Sequence, residues 1–421
     1  MKTQNLSSFS SSGIVSAHPA RTAWSWLPSS MLFVLAIHVI MTLIVVFTGP
    51  FPSQVDELQH LSVVRAQFEN PTLFPEWSHY RILRPDDLTR WSDDANYINH
   101  PSLYYLLLAP LFALTSNPIF FRLVSVLLST AALAIVLVAA RRRFGSDVLP
   151  PTLFAVLAAS FPKAAVVGGM VNNDNLTALA AAALFGGILG LPGAAWWIMA
   201  GLAIAGWTKL TAFIGLVAVA GAWLGVALLS GRISLTDRRL WFAAIGVILG
   251  SSHYLFTYLR IDQLLWVNEA VWRIPMAERL HLNMLGFAAW FFKGFVLKWP
   301  ASEFAYPFAF TLITLLTPLV LAAISLRYKE TRPWTLAYAV GVAVLLAIHF
   351  GFGWRSYVTL GDLTTMQTRY YNVLWPGIAL AATIAIARLP TRWHWVRVMA
   401  VIVCLTPTML GSIVYYNFLG E

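Results

Sequence analysis

A chain of 421 residues that is 58% hydrophobic and only 11% charged is not a soluble globular protein, in which about a quarter of residues carry charge. Its net charge of +10 does not point to nucleic acid, because many of the basic residues sit in short clusters between apolar runs, as the Lys/Arg bias of cytoplasmic loops demands. A single cysteine, Cys404, in a late apolar run excludes an intramolecular disulfide and a thiolate metal cluster.

In chain order, residues 1–26 carry the Ser-rich stretch Ser7 to Ser12 and read as a disordered cytoplasmic tail. Crossing the hydrocarbon of a bilayer takes about 20 apolar residues. The run 27–47 is long enough, and no convincing small-residue cleavage site accompanies it, so it reads as an uncleaved anchor. Further spans are expected at 119–140, 148–167, 176–191, 194–206, 210–229, 240–259, 308–326, 334–352, 373–387 and 396–415. The run 103–114 is too short to cross and reads as a re-entrant or interfacial helix. With that segment on one side, Arg141–Arg143, Arg232/Arg238/Arg239, Arg327/Lys329/Arg332 and Arg388/Arg392/Arg397 all face the cytoplasm with the N-terminus. The expected fold is therefore an all-α integral membrane protein, a polytopic bundle of about eleven transmembrane helices in a single domain, 27–418. Its outer loops are 50–117 and 260–306. The first is broken by Pro71, Pro75, Pro85 and Pro101, and its mixture of aromatic and charged residues suits helices lying along the interface. The 18 Trp and 14 Tyr suit aromatic belts.

Carboxylates at a membrane boundary are functional candidates by default, because each is costly in hydrocarbon. The pair Asp56-Glu57 follows the first span, and an isolated Asp174 in Asn172-Asn173-Asp174-Asn175 precedes a later one. The orientation puts both on the outer face. Lys209, between two apolar helices, pairs with an anion or snorkels to the interface.

These residues resemble the GT-C superfamily of membrane glycosyltransferases, which use polyprenyl-phosphate-linked sugars. The resemblance rests on Pro52-Ser53-Gln54-Val55-Asp56-Glu57-Leu58-Gln59-His60 after the first span and on Asn99-His100-Pro101-Ser102-Leu103-Tyr104-Tyr105 closing the first outer loop. It rests also on the acid at Asp174 and on Gly206-Trp207-Thr208-Lys209-Leu210. Gln367-Thr368-Arg369-Tyr370-Tyr371 with Pro376 is similar to a Gln-Gly-Arg-Tyr segment of a bacterial branch, with Thr368 in place of the Gly. Protein O-mannosyltransferases, the lipid A aminoarabinose transferase and the oligosaccharyltransferase catalytic subunit share this plan. The large soluble domain and Trp-Trp-Asp signature of the last are not seen, which disfavours that activity.

The resemblance implies transfer of a sugar, with inversion, from a polyprenyl-phosphate donor to a lipid, glycan or protein hydroxyl at the outer face of the cytoplasmic membrane. Asp56 is the candidate general base, with helix capping as its bland alternative. Glu57 and Asp174 complete the catalytic candidates; Asp174 either orients the acceptor, joins Asp56 in holding a divalent cation (Mg or Mn), or caps a helix. His60 shares a helical face with Asp56 and is a metal partner, an orienter or a polar surface residue. Lys209, Arg369 and Tyr370 are candidates for the donor phosphate, and His100, Tyr104 and Tyr105 for the pocket floor. The competing classes are a secondary transporter, with Asp56, Asp174 and Lys209 as ion sites, and a non-catalytic polyprenyl-lipid carrier or assembly protein.

Overall fold

The computed structural model describes residues 27–53, 56–148, 150–299, 307–363 and 367–418. The expected tail lies outside them. The chain opens with α1 (Ser29–Thr48) and α2 (Glu57–Glu69), then a hairpin of β1 (Arg81–Arg84) and β2 (Asp87–Ala95), and α3 (Leu103–Leu108). The bundle continues through α4 (Pro118–Val148), α5 (Pro151–Ala159), α6 (Ala164–Gly168), α7 (Asp174–Ile188), α8 (Ala194–Gly206), α9 (Leu210–Leu229) and α10 (Arg238–Ile261). It ends with α11 (Glu269–Trp272), α12 (Met284–Leu297), α13 (Phe308–Ser325), α14 (Arg332–Leu360), α15 (Trp375–Arg388) and α16 (His394–Phe418).

Seven helical segments among the described residues are long and apolar enough to cross a membrane: α1, residues Pro118–Phe144 of α4, α9, α10, α13, α14 and Thr368–Arg388. The expectation of a polytopic helical bundle therefore holds, while the number eleven does not follow from helices of spanning length. The segment 148–167 is not one continuous helix but two short ones. Phe161-Pro162 stops α5, since proline restricts the residue before it, and Lys163 takes a left-handed backbone (φ 65°) before α6 begins. At 15 residues α7 is roughly 22 Å long, short of the hydrocarbon thickness. It is buried at all but two of its positions, so protein surrounds it. The run 103–114 forms α3 and a tighter turn, Ala109–Ala113, too short to cross.

Turn and cap chemistry sets several boundaries. Asn117 Oδ1 accepts from Ile119 N (3.0 Å) at the start of α4, and Asp237 accepts from Arg239 N (2.9 Å) at the start of α10. Where α8 crosses α10, a Cβ on Gly206 would lie 2.3 Å from the Gly250 Cα, so only paired glycines allow that approach. The loop 50–117 is not purely helical as expected. Pro85-Asp86 turns a hairpin with Leu83 opposite Trp91. A second apolar core of Leu61, Val64, Leu83, Tyr104, Tyr105 and Phe121, with neighbours, clamps this loop onto the bundle. That clamp gives the acidic pair a rigid platform.

Candidate active site

Asp56 precedes the first turn of α2 with a left-handed backbone (φ 62°, ψ 23°), a conformation that Asp tolerates better than most residues. Its carboxylate does not cap the helix. Oδ1 accepts from the Tyr97 hydroxyl (2.5 Å), and Oδ2 from an Nη of Arg369. Arg369 sits at the head of the turn Thr368–Leu374 that leads into α15. Its Nε lies 3.4 Å from Asp174 Oδ2. Asp174 Oδ1 in turn accepts from Lys209 Nζ at 2.5 Å. Four charges of alternating sign thus run Asp56–Arg369–Asp174–Lys209, drawn from the first loop, the α15 entry, α7 and the α8–α9 junction.

The array is graded in depth. The side chains of Asp174 and Lys209 are each 4% exposed, whereas Asp56 keeps 25%, so an incoming molecule meets Asp56 first. Asp174 Oδ2 and Arg369 Nε face each other across 3.4 Å yet neither has a hydrogen-bond partner, a loose contact within an otherwise tight chain. Lys209 does not snorkel. Its ammonium lies 4.6 Å from the centre of the Tyr370 ring, a cation–π contact. The Asn run builds the turn before α7: Asn172 Oδ1 accepts from Asp174 N (2.9 Å), and Asn175 Nδ2 donates to Val167, Met170 and Asn172 carbonyls. Asn173 Nδ2 donates to the Thr208 carbonyl (3.2 Å), tying this turn to the residue before Lys209. Asp174 is therefore positioned by its neighbours and does not cap α7 itself.

Burial works against a charged Asp56, but Arg369, the Tyr97 and Arg369 hydrogen bonds and Lys209 outweigh it, holding the carboxyl below its ordinary value. The same burial pushes the Tyr97 hydroxyl up, so it stays a donor. His60 donates to or accepts from the Tyr105 hydroxyl through Nδ1 (2.9 Å) and stacks on His100, ring centres 6.0 Å apart. Burial, then the charge of Lys209, puts both imidazoles well below their usual range, so both are neutral at pH 7.

The structure separates Glu57 from this group. Arg122 grips it with two bonds, Nε to Oε1 (2.8 Å) and Nη2 to Oε2 (2.7 Å). Backbone N–H groups of Ser53 and Val171 donate to the same carboxylate, and Arg122 also donates to the carbonyls of Val46, Gly49 and Pro50. This buried knot ties α1, α2, α4 and the turn before α7 together. Tyr104 is fully buried, with its hydroxyl 3.3 Å from Ser125 Oγ. Sequence reasoning missed Tyr97 and Arg122. Arg122 had a readable signal, a lone cation among apolar residues of a span, whose partner had to be an acid.

The donor set does not fit a divalent cation held by Asp56 and Asp174. Guanidinium and ammonium groups already meet three of the four carboxylate oxygens and Tyr97 the fourth. Among the described residues no group of three or more His, Cys, Asp or Glu is arranged to hold a metal ion.

Beside the Thr368–Leu374 turn lies an apolar cavity of about 460 Å³. Phe295, Trp299, Phe308, Leu315, Tyr371 and Trp375 line it, with Lys293 at its wall. A charged array next to a greasy cavity is the layout of a site for an amphipathic molecule with an ionic head.

The fold has counterparts among solved structures. It is similar to the crystal structure of ArnT from Cupriavidus metallidurans bound to undecaprenyl phosphate, with a TM-score of 0.56 and 16% identity over 94% of this chain and 66% of that one. The apo structure of the same protein is also similar, at TM-score 0.52 and 16% identity over 88% of this chain and 62% of that one. The chain thus spans just under two thirds of the length of these structures. No family model matches it, and no curated protein matches it significantly.

Proposed function

We propose that this protein is a multi-pass glycosyltransferase of the cytoplasmic membrane that moves a sugar from a polyprenyl-phosphate donor to an acceptor hydroxyl. The observation that carries the reading is the Asp56–Arg369–Asp174–Lys209 array beside an apolar cavity. The similarity in fold to a structure bound to undecaprenyl phosphate supports the same class of donor.

In this reading the prenyl chain lies in the apolar cavity and its phosphate reaches Arg369 and Lys209. Arg369 offers a planar fork suited to phosphate oxygens. Asp56, the more open carboxylate, accepts the proton of the attacking hydroxyl, and the bond from the anomeric carbon to the phosphate breaks on the opposite side, with inversion. The polyprenyl phosphate leaves as an anion, so the departing oxygen needs cations more than a proton. While Arg369 bonds Asp56, the carboxylate is a weak base. A donor phosphate competes for Arg369 and returns basicity to Asp56 when the substrate is in place. Asp174 holds both cations in register. The basic loops face the cytoplasm and the array faces the outer side.

A secondary transporter is the weaker reading, because the array sits where α7 and α9 begin and not at the middle of those helices. The deciding experiment incubates the purified protein with a panel of polyprenyl-phosphate sugars and candidate acceptors, wild type against Asp56→Asn. Transfer or donor hydrolysis that disappears in the variant at unchanged melting temperature supports the assignment. Equal turnover in both removes Asp56 as the base.

A further inference from the structure

The helices α7 and α9 carry the charged array at their N-terminal ends; at their opposite ends they open onto a second cavity, of about 500 Å³. Arg142 and Arg143 reach it from the end of α4, Arg232 from the α9–α10 loop and Arg239 from the first turn of α10, and Trp223 and Trp334 form a wall. The two indoles stack, centres 5.8 Å apart and 22° from parallel, and Arg239 lies 5.6 Å from the Trp223 ring. Asp237 fixes Arg239 through two bonds, 2.9 and 2.7 Å, so the acid at the rim is already matched. Glu330, whose carbonyl accepts from Trp334 Nε1, directs its carboxylate to Arg388 at 3.6 Å.

The Lys/Arg bias of cytoplasmic loops explains why basic residues lie at this end of the bundle. It does not explain why four guanidiniums from two separate segments surround one cavity. Arg141, Arg238, Arg327 and Arg392 satisfy the same bias and do not line it. Three helices end at this cavity and two begin near it, so their terminal dipoles largely offset one another and the side chains set the field. A concave site with several arginines and a rigid aromatic wall suits an anion of more than one negative oxygen, which guanidinium forks bind in pairs.

We propose that this cavity binds a phosphate-bearing anion, either the headgroup of an anionic phospholipid or a free phosphate compound. The site is separate from the catalytic array, with the length of α7, roughly 22 Å, between them.

The test uses the full chain purified in maltoside detergent, titrated with dihexanoyl phosphatidylglycerol, dihexanoyl phosphatidylcholine and inorganic pyrophosphate, with binding read by calorimetry. Wild type is expected to bind the glycerol lipid and not the choline lipid. The double variant Arg143→Gln/Arg232→Gln is expected to weaken that binding at least about 10-fold, or about 1.4 kcal/mol. A control, Arg327→Gln/Arg392→Gln, removes as much charge from the same face away from the cavity and is expected to bind as wild type does. Pyrophosphate that displaces the lipid identifies a free phosphate compound as the source, and a lipid that pyrophosphate cannot displace identifies the headgroup; both uphold the site. Equal binding of the two lipids, equal loss in the control, or no loss in the double variant overturns it. If the double variant fails to fold, Arg232→Gln alone, expected to lose about 3-fold, decides by the same criterion.

Discussion

Lys209 and Asp174, 35 residues apart, form an ion pair at 2.5 Å with both side chains almost wholly excluded from solvent. Removing one member of such a pair strands the other, which is far more damaging than removing both. Lys209→Met should therefore destabilise the protein by about 3–5 kcal/mol and lower its melting temperature sharply. The double variant Lys209→Met/Asp174→Asn should recover part of that loss, with a coupling of about 0.5–3 kcal/mol. Thermal melts of the four proteins in detergent test this; strictly additive losses would rule out the coupling.

Asp56 and Glu57 are adjacent, yet they should fail in opposite ways. Asp56→Asn should keep the wild-type melting temperature, because Arg369 retains Asp174, while transfer activity falls by about 10²–10⁴-fold. Glu57→Ala leaves Arg122 charged and unpaired in the interior, and should cost about 3–5 kcal/mol of stability. Parallel melting and activity assays separate the two roles. A stable but inactive Glu57→Ala would reassign Glu57 to the chemistry.

Tyr97 touches Asp56 and acts through it. Its hydroxyl bond helps to hold the Asp56 carboxyl down, so Tyr97→Phe should raise that value. The wild-type rate should fall only as pH drops through the depressed value of Asp56, below the ordinary 3.8. In Tyr97→Phe the acid limb of kcat/KM should move to higher pH. A profile that falls in amplitude without moving would make Tyr97 a packing residue only.

His60 and His100 have folded values below the ordinary 6.5. The unfolded chain takes up protons at these positions before the folded chain does. Stability should thus be full above about pH 6.5 and fall as pH drops below it, until the folded rings themselves protonate. His60→Gln should flatten the melting temperature between pH 7 and pH 5. An unchanged slope would show that the imidazoles do not report on folding.

Much of the site was legible because charge in a membrane protein is rare and expensive. Asp56, Asp174, Lys209 and Arg369 stood out for that reason, and the structure brings all four together. Their mutual pairing was not legible. Whether Arg369 meets a substrate phosphate or bridges two carboxylates depends on where the α15 entry packs against α7, which no local pattern encodes. Glu57 looked like half of a catalytic pair because neighbours in sequence invite a common role. Entering α2 from a left-handed Asp56, the two side chains diverge, one to Tyr97 and one to Arg122.

The hairpin in the first loop was hidden for another reason. Aromatic and charged residues in a long loop between spans suit an interfacial helix and a strand about equally, and Leu83 and Trp91 become a strand pair only once they find each other. Composition and run length by themselves determined that the chain is a helical bundle in a membrane, because hydrocarbon leaves the backbone no solvent partner and forces helices. Tertiary structure decided which charges neutralise which and that α7 is enclosed by the bundle, because both depend on contacts between residues distant in the chain.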